Sequence, residues 1–239
     1  MYRSTNGGDS WDEINAGLTH GQVRALEIDP LTSGIIYAVT GNGVFKSTDG
    51  GGNWTATGLI DGDVWSLAID PLTPTTLYAG IFNGGVYKST DGGGSWDEVN
   101  TGLTTTHILC LAVDPLTPTI IFAGTMDSGV FRSANGGGTW SPVNAGLTDL
   151  DIRALAIDPM TPEILYAGTW DGGAFRSTNG GGSWSEFSEG LTDRYVWAMA
   201  IDPVTPTTVY AGTRGGGVFS IQQLELNYRA YLPLAMRGQ

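Results

Sequence analysis

One Gly-rich octapeptide recurs five times along the chain, and this repetition limits the possible folds more than any other feature of the sequence. The copies read STNGGDSW, STDGGGNW, STDGGGSW, SANGGGTW and STNGGGSW, and they begin at Ser4, Ser47, Ser89, Ser133 and Ser177. Successive copies are 43, 42, 44 and 44 residues apart. A fixed period of this length is typical of architectures in which one supersecondary unit is repeated.

Each repeat contains the same four segments of β-branched and aromatic residues, bounded by Gly, Pro, Asp or Asn. In one copy the segments read VWSLAIDP (64–71), TTLYAG (75–80), GGVYKS (84–89) and SWDEVNTGL (95–103). Short runs of this kind between turn residues predict strands. Four short strands in about 40–45 residues predict one blade of a β-propeller. We therefore expect an all-β fold, a five-bladed β-propeller with four antiparallel strands in each blade.

Two further positions repeat with the strands. Every first strand is followed by an Asp-Pro pair, at Asp29-Pro30, Asp70-Pro71, Asp114-Pro115, Asp158-Pro159 and Asp202-Pro203. Proline cannot donate a ladder hydrogen bond, and aspartate can accept bonds from nearby backbone amides, so each pair should end its strand in a turn. Every second strand carries one aromatic residue that we expect in the core, namely Tyr37, Tyr78, Phe122, Tyr166 and Tyr210.

The octapeptide resembles the Asp box, Ser-x-Asp-x-Gly-x-Thr-Trp, of the bacterial neuraminidase (BNR) repeat, with Asn6, Asn135 and Asn179 in place of the aspartate. The resemblance extends over nearly the whole chain. It implies that the box is the hairpin between the third and fourth strands, that its Asp bonds turn amides and that its Trp packs into the blade. Asn accepts the same bonds as Asp, whereas a metal ligand would not exchange so freely. The structural box residues are then Ser4, Trp11, Ser47, Asp49, Trp54, Ser89, Asp91, Trp96, Ser133, Trp140, Ser177 and Trp184.

The third-strand pattern occurs six times, because both MYRS at the start and GGVFSIQ (216–222) near the end match it. We expect a propeller domain over 1–224 whose N-terminal residues supply the outer strand of the last blade and close the ring. A part of a larger propeller, or closure between two molecules, is the alternative. Residues 225–239 leave the pattern, and we expect them to pack on the last blade or to act as a sorting-type tail, which their YLPLAMR resembles.

Composition excludes several classes of partner. A net charge of −13 and the lack of a basic stripe argue against nucleic acid and anionic membranes. Cys110 is the only cysteine, so no internal disulfide can form. His20 and His107 lie in nonadjacent repeats and make a poor metal site. No cofactor is expected, with Ca²⁺ bound by paired aspartates as the alternative.

Residues that do not repeat should select any ligand, and they map to the face opposite the boxes. The candidate binding residues are Trp65, Trp170, Trp197, Phe82, Tyr195, Arg24, Arg153, Arg214, Asp151 and Asp171. Aromatic rings beside Asp and Arg suit sugar recognition, and the same mixture describes a protein-binding hot spot. Glu27 is a separate anomaly, since the other repeats carry alanine at its position, and a buried Glu must be paired or neutralised.

These observations favour a recognition or scaffold module that binds a glycan, with polypeptide binding as the alternative. A glycoside-hydrolase-like propeller with an incomplete site is the third possibility. The pairs Asp61/Asp63 and Asp149/Asp151 are i, i+2 neighbours, a spacing that does not set the carboxylate separation of a glycosidase. The BNR resemblance implies a secreted or extracytoplasmic bacterial protein, although the sequence contains no signal peptide. A monomer is expected if the ring closes internally.

Overall fold

The computed structural model describes residues 1–19, 22–60 and 62–222, and every regular element in them is a β-strand. The chain starts with an N-terminal hairpin, β1 (Tyr2–Arg3) and β2 (Asp12–Glu13). Four four-stranded sheets and one three-stranded sheet follow. Sheet 1 contains β3 (Val23–Ile28), β4 (Ile36–Thr40), β5 (Gly43–Ser47) and β6 (Thr55–Ile60), and sheet 2 contains β7 (Val64–Ile69), β8 (Leu77–Ile81), β9 (Gly85–Ser89) and β10 (Asp97–Glu98).

The next three sheets repeat this order of strands. Sheet 3 contains β11 (Ile108–Val113), β12 (Ile121–Thr125), β13 (Val130–Ser133) and β14 (Ser141–Pro142). Sheet 4 contains β15 (Ile152–Ile157), β16 (Leu165–Thr169), β17 (Ala174–Ser177) and β18 (Ser185–Glu186). Sheet 5 contains β19 (Val196–Ile201), β20 (Thr208–Thr213) and β21 (Val218–Gln222). All pairing is antiparallel between consecutive strands, as expected for this all-β class.

The sheets pack face to face around a central axis. First strands of consecutive sheets lie side by side, in the order β3, β7, β11, β15 and β19. Four of the five second-strand aromatics fill the space between sheets, and Tyr37, Tyr78, Phe122 and Tyr166 are all at most 2% exposed. The expectation is wrong for Tyr210, which is 39% exposed because no described sheet follows sheet 5. The hydroxyl of Tyr37 reaches the Gly92 carbonyl in the Gly-rich turn of the next sheet at 3.2 Å. Each sheet therefore covers the aromatic residue of the sheet before it.

The Asp-Pro pairs end the first strands as the sequence predicts. In sheet 1 the Asp29 carboxylate accepts the amides of Leu31 and Thr32, both at 2.9 Å. The same two bonds recur at the other four aspartates, Asp70, Asp114, Asp158 and Asp202. These turns satisfy the amides that the proline-interrupted ladder leaves free.

The strand pairing of the N-terminal hairpin and of sheet 5 differs from the expected closure. In the described residues β1 pairs with β2 alone, and sheet 5 has three strands, so no N-terminal strand completes the last sheet. The hairpin instead packs on sheet 1, where Trp54 Nε1 donates to the Ile14 carbonyl at 2.9 Å. The first strand β19 has no packing against β3 comparable to that between consecutive sheets. The physical reason is that β2, the fourth-strand segment of the N-terminal hairpin, already pairs with its own third-strand segment β1 and so does not extend β21. The expected tail, 225–239, lies outside the described residues.

Candidate functional site

A β-bulge near the start of every first strand builds the site. The register of each first strand shifts against its neighbour at one residue, which stands unpaired between two ladder positions. A bulge of this kind turns a side chain away from the regular alternation. The five bulge residues occupy one equivalent position per sheet, and they are Arg24, Trp65, Leu109, Arg153 and Trp197.

These five side chains, together with Gln22, line one cavity of about 350 Å³. Because the first strands surround the central axis, their starts meet at one end of the channel, on the face opposite the Gly-rich turns. The cavity volume is within the range of small-molecule sites, and the mixture of apolar rings with a few polar groups is typical of them. The bulges therefore bring residues from all five sheets to one candidate ligand site.

One side of the cavity is a cluster of Arg24, Asp63 and Trp65. The guanidinium of Arg24 forms an ion pair with Asp63 and donates to the Val64 carbonyl at 2.9 Å. It also lies over the Trp65 ring, 4.7 Å from the centroid, while Trp65 Nε1 donates to Asp63 at 3.0 Å. Burial raises the pKa of Asp63, but the bonds from Trp65 and Arg24 outweigh it and hold this pKa below its ordinary value. Arg24 and Trp65 are thus fixed by a common carboxylate.

The ring of Phe82 extends this cluster away from the cavity. It lies 5.8 Å from the Trp65 ring and stacks on His107 with centroids 4.9 Å apart. His107 Nδ1 lies 3.4 Å from the Asp127 carboxylate. Neither residue lines the cavity: Phe82 packs on Trp65, and His107 packs on Phe82.

The opposite side of the cavity is a second cluster, built on Arg153. Its guanidinium forms an ion pair with Asp151 at 2.6 Å. It lies 4.4 Å from the centroid of Trp170 and 5.9 Å from that of Trp197. The rings of Trp170 and Trp197 are themselves 5.7 Å apart. Arg153 is therefore held between an ion pair and two indole rings.

Tyr195 and Arg214 form the outer edge of the second cluster. Tyr195 meets Trp170 edge-on at 5.4 Å, and Arg214 lies 5.5 Å over Trp170. Asp171 is exposed on the turn between β16 and β17 and does not line the cavity. Of the sequence-predicted residues, Arg24, Trp65, Arg153 and Trp197 thus line the cavity, whereas Phe82, Trp170, Tyr195, Arg214 and Asp151 support its walls.

Asp149, a member of the pair Asp149/Asp151, and its repeat equivalent Asp193 do not line the cavity and instead hold loops by accepting backbone amides. Asp149 accepts the amides of Asp151, Asp171 and Gly172 at 2.8–3.0 Å. Asp193 accepts the equivalent three amides one repeat later. Burial raises the pKa of Asp149, but these amides outweigh it and lower that pKa.

Asp151 differs from these loop aspartates. Burial raises its pKa above the ordinary value, and the bond and charge of Arg153 offset this only in part. Its Oδ1 is buried and makes no hydrogen bond, and the same is true of Nε of Arg153. Asp61 and His20 lie outside the described residues. Among the residues that the structure describes, no group of three or more His, Cys, Asp and Glu side chains could hold a metal ion.

Sequence reasoning did not find Gln22 and Leu109, which also line the cavity. Leu109 occupies the same bulge position as Trp65, so an alignment of the repeats could have predicted that it lines the cavity. Gln22 stands two residues before Arg24, where strand alternation returns a side chain to the same face.

The Gly-rich turns form a repeated hydrogen-bond network on the other face. In the second copy, Ser47 Oγ donates to Asp49 at 2.8 Å and accepts the Gly51 amide at 2.8 Å. The bond to Asn53, followed by that of Ser47, lowers the pKa of Asp49 to about 2. Asn135 accepts the Thr139 amide at 2.9 Å in the same way. The side-chain oxygen of Asp49 or Asn135 is thus occupied by hydrogen bonds within its own turn.

The Trp residues of these turns do not all share one environment. Trp54, Trp140 and Trp184 are at most 5% exposed, and each indole donates to a carbonyl of the preceding unit. Trp96 is half-buried, and its indole donates to Gly93 of its own turn. Trp11 is 62% exposed. The expectation that this Trp packs into the sheets is therefore wrong for Trp11, because no sheet precedes the hairpin that carries it in the described residues.

Glu27 lies toward the other end of the channel. A cavity of about 320 Å³ there is lined by Glu27 and, at its repeat-equivalent positions, Ala68, Ala112 and Ala156. Burial raises the pKa of Glu27 to about 7. The side chain is half-buried, and the neighbours at its own level are methyl groups. Glu27, which differs from the alanines of the other repeats, thus lies in the channel, in a cavity separate from the one lined by the bulge residues.

Comparisons with known proteins identify the fold. A scan of protein-family models finds no match, and neither does a search of curated proteins. An ancestral GH74 enzyme has a TM-score of 0.77 at 22% identity, over 92% of this chain and 33% of that one. YCF48 bound to D1 peptide has a TM-score of 0.71 at 17% identity, over 94% and 72%. The extracellular domain of the putative one component system BT4673 from B. thetaiotaomicron has a TM-score of 0.65 at 18% identity, over 85% and 27%.

These likenesses show the fold alone, and the fold is a β-propeller. The chain spans about a third of the length of the ancestral GH74 enzyme. Fold and cavity together define a propeller that carries a candidate ligand site at one end of its channel. In the part of the chain that the structure describes, no helix is long and apolar enough to cross a membrane.

Proposed function

We propose that this propeller is a non-catalytic recognition module that binds a neutral oligosaccharide in the cavity of the bulge residues. The observation that carries the proposal is the pairing of Trp65 and Trp197 with Arg24 and Arg153 around one opening of about 350 Å³. Indole faces bind the apolar C–H surfaces of sugar rings, and guanidinium groups bond the hydroxyls.

The charges around the cavity favour a neutral ligand. Each cavity arginine is already ion-paired with an aspartate, Arg24 with Asp63 and Arg153 with Asp151. The two pairs leave little net positive charge for a carboxylate or phosphate, yet they keep N–H donors and carboxylate acceptors at the rim. Trp197 is 47% exposed, which leaves ring surface for a ligand to cover.

The state of the carboxylates supports binding rather than hydrolysis. Asp63 and Asp151 are ion-paired, and Asp149 is used by loop amides. A glycosidase needs two carboxyl groups free to act as acid and as base or nucleophile. If the module retains hydrolase activity, Asp151→Asn or Asp171→Asn should abolish the release of reducing sugar from polysaccharides.

We assign the repeats to the BNR/Asp-box class, in five blades with the box hairpin between third and fourth strands. The support is the hydrogen-bond network of the Gly-rich turns, in which the serine donates to Asp49 or Asp91, or to Asn135 or Asn179, and accepts a glycine amide. A secreted or extracytoplasmic bacterial location goes with this assignment. The similar extracellular domain from B. thetaiotaomicron is compatible with it.

Polypeptide binding at the same face is the second candidate. YCF48, a propeller of similar fold, is known in a complex with a D1 peptide. Trp and Arg are also the residues that dominate protein-binding hot spots. Under this alternative the two clusters would bind an extended segment across the channel end rather than a sugar ring.

Calorimetry with a panel of neutral oligosaccharides tests the proposal. We expect saturable binding that weakens about five- to tenfold in Trp65→Ala and again in Trp197→Ala, since one aromatic contact contributes roughly 1 kcal/mol. Trp96→Ala, on the opposite face, is the matched control and should bind as the parent does. No binding to any neutral glycan, or unchanged binding by both cavity variants, would remove the proposal. A peptide array positive only with intact Trp197 would favour the second candidate.

A further inference from the structure

Between sheets 4 and 5 the described residues leave an apolar cavity that is filled between sheets 3 and 4. It is lined by Phe187, Gly190 and Leu191 of the segment between β18 and β19, and by Val209 and Phe219 of sheet 5. One repeat earlier, the same positions are Val143, Gly146, Leu147, Leu165 and Phe175, which pack around Trp184. The cavity is therefore the place that a turn tryptophan fills in the preceding sheet.

The backbone around this cavity still has the shape that such a tryptophan requires. Gly146 has φ +92°, and a Cβ there would stand 2.1 Å from the Trp184 carbonyl oxygen. Gly17 and Gly102 meet Trp54 and Trp140 in the same way. Gly190 keeps the positive φ, +81°, but nothing described lies within 4 Å of the place where a Cβ would stand.

One turn tryptophan, Trp11 in the N-terminal hairpin, is not packed against any preceding sheet of the described chain. Trp11 belongs to the turn of the N-terminal hairpin and is 62% exposed, and Tyr2 on the first strand of that hairpin is 61% exposed. The sheet that would normally precede this hairpin is absent from the described residues. One end of the molecule thus offers the side chain and the other end offers the cavity.

The remaining exposed apolar groups agree with this complementarity. Tyr210 and Val218 are exposed on the outer face of sheet 5, although their equivalents Tyr166 and Ala174 are buried by the next sheet. Leu26 and Ile28 are exposed on sheet 1, where no described sheet covers them. A sheet 1 placed after sheet 5 would cover both faces, as every internal sheet does.

We propose that the two ends join between molecules, with Trp11 of a second copy seated in the cavity of Phe187, Leu191 and Phe219. The second copy is the occupant because its hairpin stays docked on its own sheet 1, through Trp54 Nε1 to Ile14 and the Trp54 amide to Ala16. Within one chain β19 and β3 do not pack as consecutive sheets do, so the cavity and the hairpin lie apart. The interface continues the sheet-on-sheet packing already present in the chain.

The join exchanges one strand pairing for another. In the isolated hairpin Tyr2 pairs with Glu13 and Arg3 with Asp12. Phe219 and Ser220 are the repeat equivalents of Tyr2 and Arg3, so β21 of one copy takes the place of β1 beside β2 of the other. The number of ladder bonds is unchanged, and such exchange is a low-cost route to oligomers. Because the contact is head-to-tail, it produces a ring or an open chain of molecules.

Sedimentation equilibrium of the full chain at increasing concentration tests the proposal. We expect dimers or larger species, and a dissociation constant at least about tenfold weaker for Trp11→Ala, as for a buried aromatic anchor. Leu116→Ala, an exposed leucine of an Asp-Pro turn, is the matched control and should associate as the parent does. A chain that stays monomeric at all concentrations would overturn the proposal.

Disulfide trapping separates closure between molecules from closure within one. In a Cys110→Ala background, Asp12→Cys combined with Ser220→Cys should give dimers and larger species on a non-reducing gel, because Ser220 is the repeat equivalent of Arg3, which pairs with Asp12. Asp12→Cys combined with Lys46→Cys is the control and should stay monomeric, since these positions are not brought together by the join. A crosslink within a single chain, or no crosslink, would contradict the second copy as the occupant.

Discussion

At the scale of single residues, the first serine of each Gly-rich turn is held by hydrogen bonds to groups within the same turn. Ser47 is 1% exposed, and its hydroxyl both donates to Asp49 and accepts the Gly51 amide. A buried hydroxyl with two partners is costly to remove because a buried amide then loses its acceptor. The Gly-rich turn thus depends on its first residue as much as on its glycines.

Ser47→Ala should therefore lower the free energy of unfolding by roughly 1–2 kcal/mol. Ser4→Ala is the matched control, because Ser4 makes the same bonds in the exposed N-terminal hairpin, where water can replace them. We expect a clearly smaller effect there. Urea unfolding followed by circular dichroism measures both. Equal losses of the free energy of unfolding in the two variants would mean that burial does not determine how much this hydrogen bond contributes to stability.

Glu27 makes stability depend on pH at the residue scale. Its pKa is raised by burial from 4.5 to about 7, so the folded state holds a proton that the unfolded state has already released. The group's contribution is complete below pH 4.5 and is lost as pH rises to about 7. We expect the free energy of unfolding to fall by roughly 1–3 kcal/mol across this range.

Glu27→Gln should flatten this part of the pH profile and stabilise the protein at neutral pH. Glu13→Gln, on the exposed β2, should leave the profile unchanged. Urea midpoints measured at intervals between about pH 4.5 and 8 give the comparison. A profile that keeps its slope in Glu27→Gln would assign the pH dependence to another group.

At the scale of elements, the contacts between sheets carry more stability than the strands themselves, since the outermost strands β10, β14 and β18 are only two residues long. Trp184 illustrates the point. Its indole donates to Val143 and its amide to Ala145, both carbonyls of the preceding unit, at 2.8 Å. The turn between two strands of one sheet thus fastens that sheet to another.

Trp184→Ala should cost roughly 3–5 kcal/mol, the usual cost of removing a buried tryptophan. Trp11→Ala removes the same residue from the same motif where it is exposed, and at low protein concentration it should cost within about 0.5 kcal/mol. Thermal unfolding monitored by circular dichroism compares the two. A large loss in Trp11→Ala in dilute solution would mean that its turn already packs within one molecule.

At the scale of the whole molecule, the net negative charge destabilises the folded state. The chain carries a net charge of −13, and cations such as Arg24, Arg153 and Lys46 are occupied in ion pairs or over aromatic rings. Self-repulsion of this kind is long-ranged and is screened by salt. We expect the urea midpoint to rise on going from low salt to about 0.5 M NaCl. A midpoint that falls would mean that the Arg–Asp pairs contribute more than the net charge costs.

How much the sequence could predict differs between the parts of the molecule. The strands, the Asp-Pro turns and the buried Tyr37, Tyr78 and Tyr166 follow from local patterns repeated at 42–44 residues. The roles of Asp149 and Asp193 could not be separated from those of ligand groups, because most of the amides that they accept lie 22 or 23 residues away. Trp11 was predicted in the core because its motif is the same as that of Trp184.

The sequence by itself determined the repeating unit, because strand period, turn chemistry and the Gly-rich octapeptide act within a few residues of each other. Only the tertiary structure decided that Arg24, Trp65, Leu109, Arg153 and Trp197 meet around one cavity, and that β3 and β19 do not pack as consecutive first strands do. The physical reason is that both outcomes depend on the angle between neighbouring sheets. That angle accumulates over the whole molecule and is not encoded in any one repeat.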